Sequence, residues 1–293
     1  MKIGYYPGCT LKTKAKNLED SALASLQALG VEVQELERWN CCGAVSSLSD
    51  DDLIHQLAPV RDLIRARDQG CDQVMTLCSQ CFNVLRRANN LMRDDAEKRK
   101  TLNLFMDEEA DYAGEVEVLH YLDLLEQQVG WDKLQAAVKK PLGGMKVAPF
   151  YGCALLRPRE AALGGGSPDQ LEKFLTALGA TPVVYSGEDE CCGAYQVLVN
   201  PVEATRQAGR VLKGAEQGGA EALVLSCPLC EHNLGKRQVE LAAADGEIKP
   251  LPVLYFSQLL AVALGLEPGV NHFDLNAPVV RDFVSARQLA PNA

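Results

Sequence analysis

The 293-residue chain has no long apolar run. Its most apolar late stretch, Leu259 to Leu266, is far too short to span a bilayer. Met1-Lys2-Ile3 runs straight into the apolar-aromatic segment Ile3–Tyr6, leaving no room for the basic, apolar and cleavage regions of a secretory leader. Positive charge is also in deficit. Lys and Arg total 29 against 39 Asp and Glu, and the net charge of -10 disfavours nonspecific binding to nucleic acid or to an anionic membrane. Two redox signatures are missing: the Cys-x-x-Cys-x-x-Cys-x-x-x-Cys-Pro run of ferredoxins and a flavin fingerprint. Gly164-Gly165-Gly166 lacks the rest of a dinucleotide-binding glycine motif and reads as a flexible turn. What remains, 47% hydrophobic and 23% charged, is the composition of a globular protein with one large domain or two ordinary ones. The expectation is a soluble cytoplasmic protein.

Cysteine, by contrast, is abundant, with eleven residues. In a reducing compartment, and in a chain able to bury an adequate core, a disulfide framework explains them poorly; their number is also odd. Ten fall into two copies of one pattern. The first is Cys9, Cys41-Cys42-Gly43 and Cys78-Ser79-Gln80-Cys81; the second is Cys153, Cys191-Cys192-Gly193 and Cys227-Pro228-Leu229-Cys230. Flanking residues repeat with them. Tyr6-Pro7-Gly8-Cys9 answers Phe150-Tyr151-Gly152-Cys153, and Val118-Leu119-His120-Tyr121 answers Val253-Leu254-Tyr255-Phe256. Self-similarity on this scale means a duplicated domain, divided here as 1–143 and 144–293, with Gly130–Gly144 as the connector.

Short apolar runs precede the cysteine groups and helical patterns follow most of them. Strands are predicted at Lys2–Tyr6, Val31–Leu36, Gln73–Leu77 and Glu115–Leu119. Their second-half counterparts are Lys146–Phe150, Thr181–Tyr185, Ala222–Leu225 and Pro252–Tyr255. Helices are predicted at Leu18–Leu29, Asp51–Asp68, Phe82–Arg93, Leu122–Val129, Asp169–Leu178, Pro201–Gln217, Glu231–Ala243 and Ser257–Leu264. Asp50, Ser167 and Asn200 read as N-caps, Gly30 and Gly179 as C-terminal stops. The charged stretch Asp94–Glu115 reads as a helical or loop insertion. This alternation gives an α/β fold: two duplicated, parallel-sheet, Rossmann-like units. Ligands of such sheets gather beyond the carboxyl ends of the strands, where the cysteines fall.

Soft, charged thiolates suit iron in a sulfide-bridged core. Adjacent cysteines point apart, so Cys41-Cys42 suggests two irons reached from one turn. Gly43 and Gly193 allow close approach and can direct amides at sulfide. Five thiolates per half exceed the four of one zinc or one ordinary cubane. Zinc remains the alternative for the second set, where four thiolates suffice for a closed tetrahedral site.

The doubled pattern C-(x)n-CCG-(x)n-C-x-x-C resembles the CCG domains of the B subunit of heterodisulfide reductase, over nearly the whole chain and including Tyr-Pro-Gly-Cys and Tyr-Gly-Cys-Ala-Leu-Leu-Arg-Pro. The resemblance implies two noncubane [4Fe-4S] clusters. Cys9, Cys41, Cys42, Cys78 and Cys81 would hold one, and Cys153, Cys191, Cys192, Cys227 and Cys230 the other, in halves related by pseudo-two-fold symmetry. It implies a disulfide oxidoreductase that cleaves, or in reverse forms, a disulfide between the clusters. It further implies partners within a heterodisulfide reductase-like complex: a ferredoxin-like C subunit and a flavin-containing A subunit. The implied substrate is a small-molecule or lipoyl-type disulfide or dithiol. A noncatalytic electron relay within a CCG-containing dehydrogenase complex is the alternative.

Several residues outside the ten carry readings of their own. Cys71, whose counterpart is Ala220, reads as a buried small hydrophobe. His232 close to Cys230 is either a proton donor to a leaving thiolate or a helix-surface residue. Lys12, Lys14, Lys16, Arg157 and Arg159 follow the first cysteine of each copy; they either bind an anionic group on the substrate or form a solvated charged loop. Trp39 either shields a cluster or packs in the core. His55, His120 and His272 have no constellation around them.

Overall fold

The computed structural model describes residues 2–44, 53–166, 169–244 and 246–289. It contains two four-stranded sheets, each entirely parallel. The first comprises β1 (Ile3–Tyr5), β2 (Gln34–Glu35), β3 (Gln73–Thr76) and β4 (Glu117–His120) in the order β2-β1-β3-β4. The second comprises β5 (Lys146–Pro149), β6 (Thr181–Pro182), β7 (Ala222–Leu225) and β8 (Val253–Tyr255) in the corresponding order β6-β5-β7-β8. Identical strand order is the structural signature of the duplication. The inner strands are short, buried apolar runs, as parallel strands covered on both faces must be. The edge strands β2 and β6 are shorter than their apolar patterns predict, because only two residues of each find a partner.

The helices of the first half are α1 (Lys16–Ala28), α2 (Leu57–Asp68), α3 (Ser79–Asp94), α4 (Ala96–Phe105), α5 (Tyr121–Leu124) and α6 (Trp131–Ala137). Those of the second are α7 (Gln170–Ala177), α8 (Pro201–Gln217), α9 (Pro228–Glu231), α10 (Gln238–Ala244), α11 (Phe256–Ala263) and α12 (Pro278–Ala286). The expected insertion is α4 followed by a loop, with Asp95 capping the helix by accepting from Lys98 N. The connector is not simply loop. Trp131 and Leu134 give it an apolar side, Leu134 is buried, and α6 packs on α7. Two predicted helices are interrupted by wide π turns, Leu125–Val129 and His232–Lys236. Asn200 caps α8, its side-chain oxygen accepting from Glu203 N at 3.1 Å. Asp50 and Ser167 lie outside the described residues. Gly30 and Gly179 end α1 and α7 with φ of +76° and +77°, the left-handed turn that glycine adopts without strain.

The halves join through helices packed across the junction between them. α1 lies on α11, with Ser21 Oγ 2.7 Å from Ser257 Oγ and Asn17 Nδ2 donating to Asn276 Oδ1 at 3.0 Å. In the equivalent place, Gly164 N and Gln170 Nε2 donate to Asp123 Oδ1 of α5. Tyr121, Phe174 and His120 surround Phe256 at this junction, with ring centroids 5.3, 5.7 and 6.0 Å from it. Burying each such ring contributes roughly 1.5–3 kcal/mol. β4 and β8 end alike: His120 and Tyr255 each form a capping box, with Asp123 and Gln258 closing back on the chain.

Candidate metal centre

All ten patterned cysteines lie beyond the carboxyl ends of the strands, on loops or in the first turn of the helix that follows, as the sequence led one to expect. Cys9 and Cys153 follow β1 and β5. The Cys-Cys-Gly turns follow β2 and β6. Cys78 and Cys227 are the N-cap residues of α3 and α9, with Cys81 and Cys230 in the first turns of those helices. Gly8 shows why the first loop is tight: its φ is +72°, and a Cβ there would stand 3.0 Å from Cys81 Sγ.

The thiols meet in matching pairs. Cys41 Sγ is 3.7 Å from Cys9 Sγ, and Cys42 Sγ 3.4 Å from Cys81 Sγ. In the second set Cys192 Sγ is 3.2 Å from Cys230 Sγ, and Cys191 interacts with Cys153. The two sets are not separate. Cys78 and Cys227, one from each half, lie near enough across the junction to influence each other's ionisation. Cys42, Cys78, Cys81, Cys192, Cys227 and Cys230 are buried; Cys9 and Cys41 are exposed; Cys153 and Cys191 are half-buried.

Thiols crowded this closely cannot all ionise together. Hydrogen bonds from Cys41 and then Cys81 pull Cys42 down to about 4, while the bond with Cys42 pushes Cys41 up. Cys191 is pulled down to about 2 by Cys153 and then Cys192, both of which rise. One thiolate therefore leaves its neighbours protonated. A cationic core removes that conflict, because each sulfur then carries its charge against metal. Backbone amides point the same way: Gly193 N donates to Cys191 Sγ at 3.4 Å, and Gly43, Ala44 and Ala194 supply comparable bonds to Cys41, Cys42 and Cys192. Among the described residues, no three Cys, His, Asp or Glu converge on a point suited to one metal ion. A paired, amide-lined, largely buried donor set of five fits a multi-iron sulfide core, whose several irons share the thiolates, better than one tetrahedral ion.

Around the second set lies a narrow pocket lined by Tyr151, Cys153, Cys191, Cys192, Tyr195 and Cys227, among others. A wider pocket shares Cys153 and Tyr195 with it and adds His55, Asn83, Arg87 and Arg157. Arg157 is thus placed beside Cys153, held by Asp189 through its carbonyl and carboxylate, each at 2.8 Å. Lys12 is engaged elsewhere, in ion pairs with the buried Glu19 at 2.8 Å and with Glu35 at 2.6 Å. Lys16 also pairs with Glu19, and Lys14 and Arg159 are exposed. His232 is exposed on the turn after Cys230. Cys71 is buried against Gly4, consistent with a packing role. Trp39 stacks edge-on against Tyr6 with centroids 5.9 Å apart. His120 is fully buried, and His272 lies 2.8 Å from Asp20.

Sequence reasoning passed over Tyr195, Asn83 and Arg87. Tyr195 donates to Ala44 O at 3.0 Å and so ties the second Cys-Cys-Gly loop to the first. Asn83 donates to Ala154 O and Arg157 O at 2.8 and 2.7 Å. The signal for Tyr195 was available: it follows Cys191-Cys192-Gly193-Ala194 where the first copy has Val45, a break in an otherwise faithful repeat.

The sequence profile of the CCG cysteine-rich domain matches residues 3–86 and again residues 147–235. The chain belongs to the CCG cysteine-rich family. Two relatives align with it nearly end to end. It is 34% identical, over 94% of its length, to the 8-methylmenaquinol:fumarate reductase membrane anchor subunit of Wolinella succinogenes, covering 98% of that protein. It is 29% identical, over 94% of its length, to the B subunit of the ferredoxin/F(420)H(2)-dependent CoB-CoM heterodisulfide reductase of Methanosarcina acetivorans, covering 93% of it. In fold it matches a hypothetical protein from Helicobacter pylori with a TM-score of 0.75 and 12% identity, over 94% of this chain and 51% of the other. Among the described residues, no helix is long and apolar enough to cross a membrane.

Proposed function

We propose that this chain is the iron–sulfur component of a cytoplasmic heterodisulfide reductase-like complex, with domains 1–143 and 144–293 each binding a noncubane [4Fe-4S] cluster. The ligands are Cys9, Cys41, Cys42, Cys78 and Cys81 in the first, and Cys153, Cys191, Cys192, Cys227 and Cys230 in the second. The observation that supports this reading is the matched approach of thiols in both halves, Cys42 to Cys81 and Cys192 to Cys230, with Tyr195 of the second Cys-Cys-Gly loop bonded to Ala44 of the first. Clusters held by these ten thiolates would supply the two electrons, one from each half, for reductive cleavage of a disulfide.

The chain's own groups then have defined tasks. Arg157 and Arg87 give the approach to Cys153 a positive wall. Tyr195 narrows the passage between the wide pocket and the thiols. The amides of the Cys-Cys-Gly turns hold the sulfurs, as Gly193 N does in donating to Cys191 Sγ. Electrons come from outside, in this reading from a ferredoxin-like partner fed by a flavin-containing one.

A second reading, a noncatalytic electron relay, is favoured by the 34% identity to a component of a fumarate reductase. Electron paramagnetic resonance of anaerobically purified protein, oxidised with and without candidate disulfides and dithiols, separates the two. A new paramagnetic signal that appears only with a disulfide or dithiol is expected for the catalytic role. An unchanged spectrum across all candidates leaves the relay.

A further inference from the structure

Each half brings the second cysteine of its Cys-Cys-Gly turn against the second cysteine of its Cys-x-x-Cys turn. The sulfurs of Cys42 and Cys81 are 3.4 Å apart, those of Cys192 and Cys230 3.2 Å. All four residues are buried, and the pairing is the same in both copies. A disulfide bond is about 2.0 Å long, so each pair has little more than an ångström to close, within reach of side-chain rotation. The competing partners are placed less well. Cys9 and Cys41 are 3.7 Å apart and exposed. Cys78 engages Cys227 in the other half rather than only its own Cys-x-x-Cys partner. Adjacent cysteines, as in Cys41-Cys42, can bond only through a strained small ring.

We propose that Cys42–Cys81 and Cys192–Cys230 form a matched pair of redox-modification sites, closing as disulfides when a peroxide strips the metal from the two sets. In each, two thiols give up two electrons and two protons and one S–S bond forms, while the O–O bond of hydrogen peroxide breaks to yield two waters. The bridge ties the Cys-Cys-Gly loop to the helix start and shuts the space between them. It also holds the buried sulfurs below the sulfinic level, from which thiols are not ordinarily recovered. Reloading then requires a dithiol reductant first. The proposal goes beyond the function argued above, since it concerns the thiols after metal has left.

The test uses full-length protein purified without oxygen, with iron and sulfide measured first, so that the cluster reading stands or falls on that value alone. The protein is treated with hydrogen peroxide, blocked with N-ethylmaleimide, digested without reductant and mapped by mass spectrometry. Expected are cross-linked peptides joining Cys42 to Cys81 and Cys192 to Cys230, a loss of four of the eleven free thiols, and their return on reduction. Cys42→Ser keeps only the Cys192–Cys230 link, and Cys192→Ser only the Cys42–Cys81 link, each losing two thiols instead of four. If either variant fails to accumulate, the wild-type map decides. Links within the Cys-x-x-Cys turns, between Cys9 and Cys41 or between chains, or no links at all, overturn the proposal.

Discussion

The two halves hold their thiols alike and surround them differently. Cys42–Cys81 and Cys192–Cys230 are superimposable in role, as are the amides of Gly43 and Gly193 and the stops at Gly30 and Gly179. Yet Cys9 and Cys41 are exposed, whereas Cys153 and Cys191 are half-buried beside Arg157 and Tyr195. Beneath the turns, buried Asp62 on α2 corresponds to buried Val211 on α8, and Phe82 beside Cys81 corresponds to buried Glu231 beside Cys230. In the proposed function, metal binding would constrain the sulfur positions in both copies, since thiolates must meet one core. Access is not so constrained, and there the copies have diverged.

The sharpest way to break the comparison is to remove one thiol from each set. Cys42→Ser and Cys192→Ser should each lose roughly half of the bound iron and sulfide if the sets are equivalent metal sites; elemental analysis would show it, and an unequal loss would mean that one set holds something else. A smaller, one-sided effect is expected from Gly193→Ala. Gly193 has a φ of +80°, and a Cβ would stand 2.7 Å from Gln207 Oε1 and 3.0 Å from Ala204 Cα. The variant should lose about 1–3 kcal/mol in denaturant unfolding and bind less iron in the second set while the first stays loaded.

Asn83→Ala tests the junction instead. It leaves the carbonyls of Ala154 and Arg157 without their donor and should cost about 1–3 kcal/mol, with no counterpart effect from the second half. The residue at the matching position of the second half is His232, which is exposed.

A last effect is a pH dependence to which each half contributes a buried carboxyl, Asp62 in the first and Glu231, likewise pushed up to about 7 by burial, in the second. Burial pushes the Asp62 carboxyl up to about 7, against an ordinary value of 3.8. The folded chain therefore binds this proton more tightly than the unfolded one. Its contribution is fully present below about pH 4 and is lost as pH rises toward 7. Asp62→Asn, which keeps an acceptor for Asn40 N, should flatten that fall in unfolding titrations. An unchanged slope would place the Asp62 proton elsewhere.

Much of this was legible in the sequence because duplication writes it twice. The order of strands, the two cysteine sets and the helix stops all come from local patterns: short apolar runs, Cys-Cys-Gly turns, and glycine after a helical period. What stayed hidden depends on partners distant in the chain. Lys12 resembles a cleft cation locally, but the buried Glu19, which also accepts from Tyr5 Oη, claims it. Asn83 and Tyr195 look like ordinary polar residues until the halves are joined. The π turns at Leu125–Val129 and His232–Lys236 interrupt patterns whose periodicity remains helical throughout. Edge strands shortened for a similar reason, since the pattern marks a strand while only pairing sets its length.

The claim on which the rest depends is that both cysteine sets are occupied by iron and sulfide at once. Iron, zinc and acid-labile sulfide should be measured on a single oxygen-free preparation of the folded chain. The account predicts about eight irons and eight sulfides per chain, with no zinc. Folded protein with neither iron nor sulfide, or with zinc in place of half the iron, would contradict it.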